Sequence, residues 1–411
     1  MEEFNDLLNE APEALEEYIS LPNYGDSKSV YKGLLTLQGD SIIITFSGSI
    51  YYSFAEKVEL SFEGIIDSPP ISLLGKKVKI LAGDLYHGIT IIEEIIDANV
   101  GVNVRGCVPW LNSKDPVSCK QWRWCYLNGP YVFGEDIRRN RVLSKDRLVF
   151  KDGSFEIIIE NIARYNQQKK HREISHYCEL RNTSNTLISK EDAQREILLF
   201  SRFFSFIAGC LHAPFFIEGL ENDTVKCCVH GVPPDCSLVS VSSWKPDFKD
   251  DDLIPLWPAY RSFCNESVDK ADILNTAIHW YLQANMNSGM LEGALLLGFT
   301  GIELISNEVV GRELNNEMII QDFIQRLRLE IDLTPYQIAQ TRNYLMHYKN
   351  EFRRTSYNRL TFEEKIARLE TVLQILELAI LYLLGYKGHY NDRLHMKWRG
   401  GSTKLVPWVQ D

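Results

Sequence analysis

A surplus of positive charge is missing from this chain: 44 lysines and arginines stand against 55 aspartates and glutamates, and the formal net charge is -11. Long-range repulsion then opposes broad attraction to polyphosphate, so any nucleic acid has to be met at a small local basic site or at a surface that a second subunit helps to build. A long unbroken apolar run is missing too. The best candidate, Val372 to Leu384, is interrupted by Gln374 and Glu377 and is too short to span a bilayer, so it reads as a packed helix and no membrane partner is expected. The opening Met1-Glu2-Glu3 is acidic and leads into no basic-then-apolar segment, which predicts a cytoplasmic setting without a secretory leader.

Several chemistries lack their residues. The nine cysteines are scattered rather than arranged as the dense framework of a small secreted protein, which suits a reduced interior. Cys107, Cys119, Cys125 and Cys178 are the set to weigh for zinc, but they contain no CxxC pair, and buried thiols are the expected outcome with no metal and no cofactor. His171, His176 and Cys178 lack a convincing acid partner, and Ser201, Ser205 and Cys210 form no nucleophile-base set. Glu93-Glu94 is not by itself a glycosidase pair. No glycine cluster has the strand-turn-helix setting that cradles phosphate, and no internal repeat is present.

What is there has the texture of an ordinary folded protein, with 45% hydrophobic and 24% charged residues over 411 positions, enough for two or three domains. The first part is rich in short β-prone runs: Val30 to Leu35, Ser41 to Phe46, Lys57 to Phe62, Lys77 to Leu81, Gly88 to Ile92, Val100 to Val104, Arg147 to Phe150, Phe155 to Glu160 and Glu173 to Leu180. Turns are expected at Gly39-Asp40 and around Gly48-Ser49. Strands without long helical crossovers predict a sandwich or open barrel. A helix from about Glu191 to Gly209, followed by strand-like Phe215 to Ile217 and Val225 to Val229, is assigned to this β-rich half. The polar stretch Lys245 to Asp252 is the expected boundary, dividing the chain into 1–245 and 246–411.

Beyond that boundary the periodicity is helical. Helices are predicted over Leu256 to Cys264, Lys270 to Ala284, Met290 to Ile305 and Asn316 to Leu329, then from Thr334-Pro335, where threonine caps and proline occupies the first position. A long closing helix, Phe362 to Leu384, carries Ile366, Leu369, Val372, Leu373, Leu376 and Ile380 on one broad face. The fold class expected is multidomain α+β, a β-rich region followed by an all-α bundle. The tail after Gly385 is basic, with Lys387, Arg393, Lys397, Arg399 and Lys404, and reads as a solvated end or as a cover for an acidic ligand.

Within the bundle, Arg342-Asn343-Tyr344-Leu345-Met346-His347 places an arginine and a histidine five positions apart, about 140° out of phase on a continuous helix. They converge better where the helix ends, and Asn350 to Asn358 reads as a helix end followed by an exposed loop. An arginine fork suits a phosphate gaining charge, and histidine, with an ordinary pKa of about 6.5, exchanges protons near neutrality. Asn343 is placed to orient a ligand or either side chain. Spacing alone arises by chance, and a histidine bonding at a helix end is the plainer reading of it. Tyr344, Leu345 and Met346 read as the packed face of the helix.

The same six residues resemble the Arg-x4-6-His motif of HEPN domains, with the polar residue after the arginine and a long last helix downstream. Ile278 to Ala284 and Glu292 to Leu297 are similar to helices of the ApeA-like group, which joins a β-rich N-terminal region to such a domain; Phe62 to Ile66 and Leu198 to Phe206 extend the likeness less specifically. The connection from Ser306 to Asn315, with Glu308 and Glu313, is the departure from the pattern. The resemblance implies a homodimer with two Arg342–His347 pairs lining one cleft, metal-independent RNA cleavage, and a role in antiphage defence by abortive infection, with tRNA a plausible target. It makes Lys349, Arg353 and Arg354 candidates for RNA phosphate contacts, against an even expectation of ordinary surface charges. Trp122-Arg123-Trp124 is the best recognition feature of the β-rich half, where it would read a phage-derived activating ligand. The rival expectations are a non-catalytic HEPN-like dimerisation module and a carbohydrate-binding protein led by the β-rich region.

Overall fold

The computed structural model describes residues 10–15, 25–39, 42–54, 58–67, 71–97, 101–114, 117–140, 142–162, 173–231, 242–310, 315–347, 351–395 and 402–409. Chain contacts divide the protein into two units. The first comprises Met1–Val149, Gly153–Leu198 and His212–Leu238; the second comprises Phe150–Asp152, Leu199–Leu211 and Val239–Asp411.

In the first unit six strands form a ring: β1 (Ser27–Gln38), β2 (Ile43–Phe54), β3 (Val58–Ile66), β4 (Lys77–Ala82), β5 (Tyr86–Asp97) and β6 (Val102–Ser113). They pair antiparallel in the order β3-β2-β1-β4-β5-β6, and β6 returns to β3 with Ser61 opposite Cys107 and Ile66 opposite Val102. The barrel is therefore closed, where the sequence suggested a sandwich or an open barrel. Closure pairs strands far apart in the chain, and it removes two edges that would otherwise leave backbone donors and acceptors unpaired. Alternation directs Leu35, Ile50, Phe62, Ile80, Ile92 and Val104 into a buried core.

Gly48 was expected in a turn but lies inside β2, opposite Gly33 on β1 and Gly64 on β3. A side chain at Gly64 would meet the Phe46 ring at 2.4 Å, so glycine here makes room for an aromatic rather than turning the chain. Beyond the ring, Trp110 to Asn112 of β6 pair with β15, and the sheet continues outward. The remaining strands of this unit are β7 (Ser118–Cys119), β8 (Gln121–Leu127), β9 (Glu135–Arg139), β10 (Val142–Asp152, which ends in the second unit), β11 (Phe155–Asn161), β12 (Ile174–Asn182), β13 (Ile188–Ser189), β14 (Phe215–Glu221) and β15 (Thr224–Gly231). Their order away from the barrel is β15-β14-β8-β12-β11-β10-β9.

Helices dominate the second unit. Its segment Leu199–Leu211 carries the second half of α1 (Lys190–Ala208), and its aromatics build the core: Phe200 meets Trp257 at 5.3 Å between ring centroids, Phe203 meets Tyr260 at 5.4 Å, and Phe206 meets Tyr281 at 5.7 Å. The other helices are α2 (Leu256–Glu266), α3 (Val268–Met286), α4 (Leu291–Val310), α5 (Asn316–Arg326), α6 (Pro335–Met346), α7 (Glu351–Asn358) and α8 (Phe362–Leu383). The stretch expected as the boundary lies inside this unit, whose last segment begins at Val239, and its Lys245 and Asp250 form a buried ion pair of 2.6 Å. Residues read as an exposed loop after His347 form α7 instead, with Tyr357 fully buried. The connection expected from Ser306 is helical through Val310, and Glu313 lies outside the described residues.

Among its described residues the tail is folded rather than free, although Lys387 and Lys404 remain exposed. Strands β16 (His389–Asn391) and β17 (Thr403–Leu405) form a hairpin, and the buried Arg393 between them bonds Glu377 through Nε at 3.0 Å and Glu370 through Nη1 at 2.7 Å. Tyr281 donates to the same Glu377 at 2.6 Å, and Lys404 is held by Asp392. Lys397 and Arg399 lie outside the described residues. Among the described residues no helix is long and apolar enough to cross a membrane.

Candidate functional site

Helix α6 owes its start to local chemistry. Thr334 accepts from the Gln337 amide at 3.2 Å, Gln337 Oε1 accepts from the Thr334 amide at 2.9 Å, and Pro335 fills the first turn, where no amide is needed. Ile338, Ala339, Thr341 and Leu345 turn inward. Thr341 is pinned from α8 by Arg368, whose Nε donates to its hydroxyl at 3.0 Å. The residue after this anchor is Arg342.

Arg342 is half-buried and faces α4. Its Nε donates to Glu303 Oε1 at 2.9 Å and its Nη2 to Glu303 Oε2 at 3.4 Å. The Arg342 side chain is 22% exposed and that of Glu303 35%, so neither side chain is sealed from solvent. Helix α4 is set close to α8 by Gly298 and Gly301, where an added Cβ would meet Val372 and Leu376 at 2.6 Å, and this packing carries Glu303 to the arginine. Sequence reasoning missed Glu303. Its signal was available, since it is the one charged residue between Glu292 and Glu308 in an otherwise apolar helix.

The helix ends at Met346. His347 is its C-cap residue, with φ -115° and ψ 36°, and its amide still donates to the Asn343 carbonyl at 3.2 Å. Leaving helical geometry at this point releases His347 from the phase that a continuous helix would impose. Its exposed imidazole has no partner among the described residues. Asn343 is half-buried on the same last turn. Leu345 is packed, but Met346, expected on the packed face with it, is 53% exposed. Lys349 lies outside the described residues; Arg353 and Arg354 belong to α7, and their side chains are not described.

The other expected recognition feature is not a surface. Strand β8 runs between β12 and β14, and both Trp122 and Trp124 have no exposed area. Trp122 donates to the Ile188 carbonyl at 3.2 Å and lies against Gly219, which leaves space for the indole. Arg123, on the opposite face by strand alternation, donates to the fully buried Glu179 at 3.1 Å. Aromatic bulk at a central strand was more economically core than platform.

The four cysteines weighed for zinc stand on four different strands. Cys125 lies opposite Tyr177 and Cys178 opposite Trp124, so the two thiols point to opposite faces of the sheet. Burial pushes the Cys107 and Cys119 thiols up to about 11. Among the described residues no three His, Cys, Asp or Glu side chains gather as metal ligands. His176 is buried and bonds Ser175 at 2.8 Å, while His171 lies outside the described residues.

Two family models match parts of the chain: the YopA central domain over residues 118–229, which spans β7 to β15, and the YopA C-terminal domain over residues 312–404, which contains Arg342, Asn343 and His347. Glu303 lies outside both matches. The chain is also similar to the SPbeta prophage-derived uncharacterized protein YopA of Bacillus subtilis (strain 168), at 20% identity over 429 aligned positions that cover 92% of this chain and 94% of the other. No solved structure matches the chain.

Proposed function

We propose that this protein is a metal-independent endoribonuclease of HEPN type, with Arg342 and His347 as its catalytic pair and Asn343 as an orienting neighbour. The carrying observation is the end of α6 at Met346, which leaves an exposed imidazole, without a partner among the described residues, one turn beyond an arginine already fixed in position. In RNA the 2'-hydroxyl is the nucleophile. His347 removes its proton or donates one to the departing 5'-oxygen, and His347 of a second copy takes the complementary role. Arg342 meets the charge that builds on the phosphorus-bound oxygens. The products are a 2',3'-cyclic phosphate and a 5'-hydroxyl end. A homodimer joins two such half-sites and offsets the acidic whole with local positive charge.

The prophage origin in the relative's name supports a phage-related setting, in which cleavage of tRNA would halt translation. The β-rich unit is then the regulatory part, with a phage-derived ligand as its signal, although not through Trp122 or Trp124. Cytoplasmic action follows from the same reading. A second reading, a non-catalytic dimerisation module, is favoured by the ion pair with Glu303, which gives Arg342 a structural role without any RNA. The carbohydrate-binding alternative loses its platform with the burial of both tryptophans.

Matched preparations of the native protein, Arg342→Ala and His347→Ala, incubated with tRNA and no added metal, test the proposal. Each substitution is expected to lower cleavage by about 100-fold or more, the order of general acid–base and oxyanion contributions, with circular dichroism unchanged. Equal cleavage by all three sinks it.

A further inference from the structure

We infer that Glu303 is a positioning residue for Arg342, holding one edge of the guanidinium so that the opposite edge stands ready for a phosphodiester oxyanion; this rests on the ribonuclease reading of the site. Glu303 takes the edge formed by Nε and Nη2. Nη1 and the second Nη2 hydrogen have no partner among the described residues. An arginine fork binds a phosphate through either edge with two parallel bonds, so occupation of one edge leaves a complete bidentate donor set on the other.

Both ends of the pair are built on fixed elements. Glu303 rides on α4, whose Gly298 and Gly301 seat it tightly on α8, and Arg342 follows Thr341, which Arg368 ties to the same α8. A free arginine loses rotamer freedom on being fixed, and a carboxylate that fixes it beforehand removes that cost from the reaction step. Partners that orient metal ligands cost about 10- to 100-fold when removed, and the same order is expected of a carboxylate that orients an arginine. Glu303 also supplies what the motif lacks, since Arg342 and His347 stand on one short helix and neither orients the other.

Two measurements on the full-length protein test this. Side-chain nitrogen NMR of Arg342, assigned with Arg342→Lys, is followed while inorganic phosphate is added. The Nη signals are expected to shift while Nε stays, and in Glu303→Gln the Nε signal loses its protection from solvent exchange. On tRNA, Glu303→Gln is expected to lower kcat by about 10- to 100-fold with KM within about threefold, and Glu303→Asp to restore part of the loss. Faster cleavage by Glu303→Gln, or phosphate moving Nε as it displaces the carboxylate, overturns the inference and makes Glu303 a block on the site. If the native protein cleaves no RNA the ribonuclease reading falls, while the phosphate titration still decides the role of Glu303.

Discussion

His212 and His230 have no charge to offer the folded first unit at neutral pH. Burial lowers His212 to about 4, against a backbone bond at Leu127 that raises it, and burial with the nearby Lys28 ammonium lowers His230 to about 3. Below the ordinary histidine value of about 6.5 the unfolded chain binds these protons and the folded chain does not, so stability falls as pH falls until each folded pKa is reached. Each histidine is expected to cost the first unit about 1.4 kcal/mol per pH unit in that window. Urea unfolding between pH 7.5 and 5 reads this directly, and His212→Phe should flatten the dependence. An unchanged slope in that variant refutes the assignment. At Arg342 the sequence suggests a phosphate binder, and the folded chain adds a carboxylate partner, Glu303, from a distant helix.

At the scale of elements, two of the three glycines of α4 have opposite roles. Gly301 is packed so closely that a methyl group would meet Leu376 at 2.6 Å, whereas Gly293 has nothing within 4 Å. Gly293→Ala is expected to stabilise by up to about 1 kcal/mol through helix propensity. Gly301→Ala gains the same propensity but overpacks a core contact at a cost of about 1–3 kcal/mol, for a net loss. Because Glu303 lies two positions beyond, Gly301→Ala is also expected to reduce RNA cleavage, which Gly293→Ala leaves unchanged. Thermal melting of the two variants beside the native protein checks the opposite signs.

For the whole molecule, the useful boundary is not a point in the chain. The second unit takes Leu199–Leu211 from far upstream, and with it the rings of Phe200, Phe203 and Phe206 that pack on Trp257, Tyr260 and Tyr281. A fragment of residues 246–411, the division suggested by composition, lacks these rings and also Trp244 and Lys245. It is expected to bind a hydrophobic dye and to melt without cooperativity, while the full chain does neither. A cooperative, dye-free fragment would show that the upstream aromatics are dispensable.

Local chemistry was legible in the sequence because its causes are adjacent in the chain. Thr334 and Pro335 begin α6, and the apolar residues of α8 pack inward, although every residue from Thr371 to Leu381 is buried and that stretch is enclosed rather than one-faced. The α+β class, strands first and helices after, follows from the same periodicities. Tertiary structure alone decided the closure of β3 on β6, the burial of Trp122 and Trp124, the return of Arg393 to Glu377 and the hold of Glu303 on Arg342. Each joins residues distant in sequence or depends on which strands flank a segment. Propensity and spacing register what a residue prefers near its neighbours; they have no term for the partner that the folded chain brings to it.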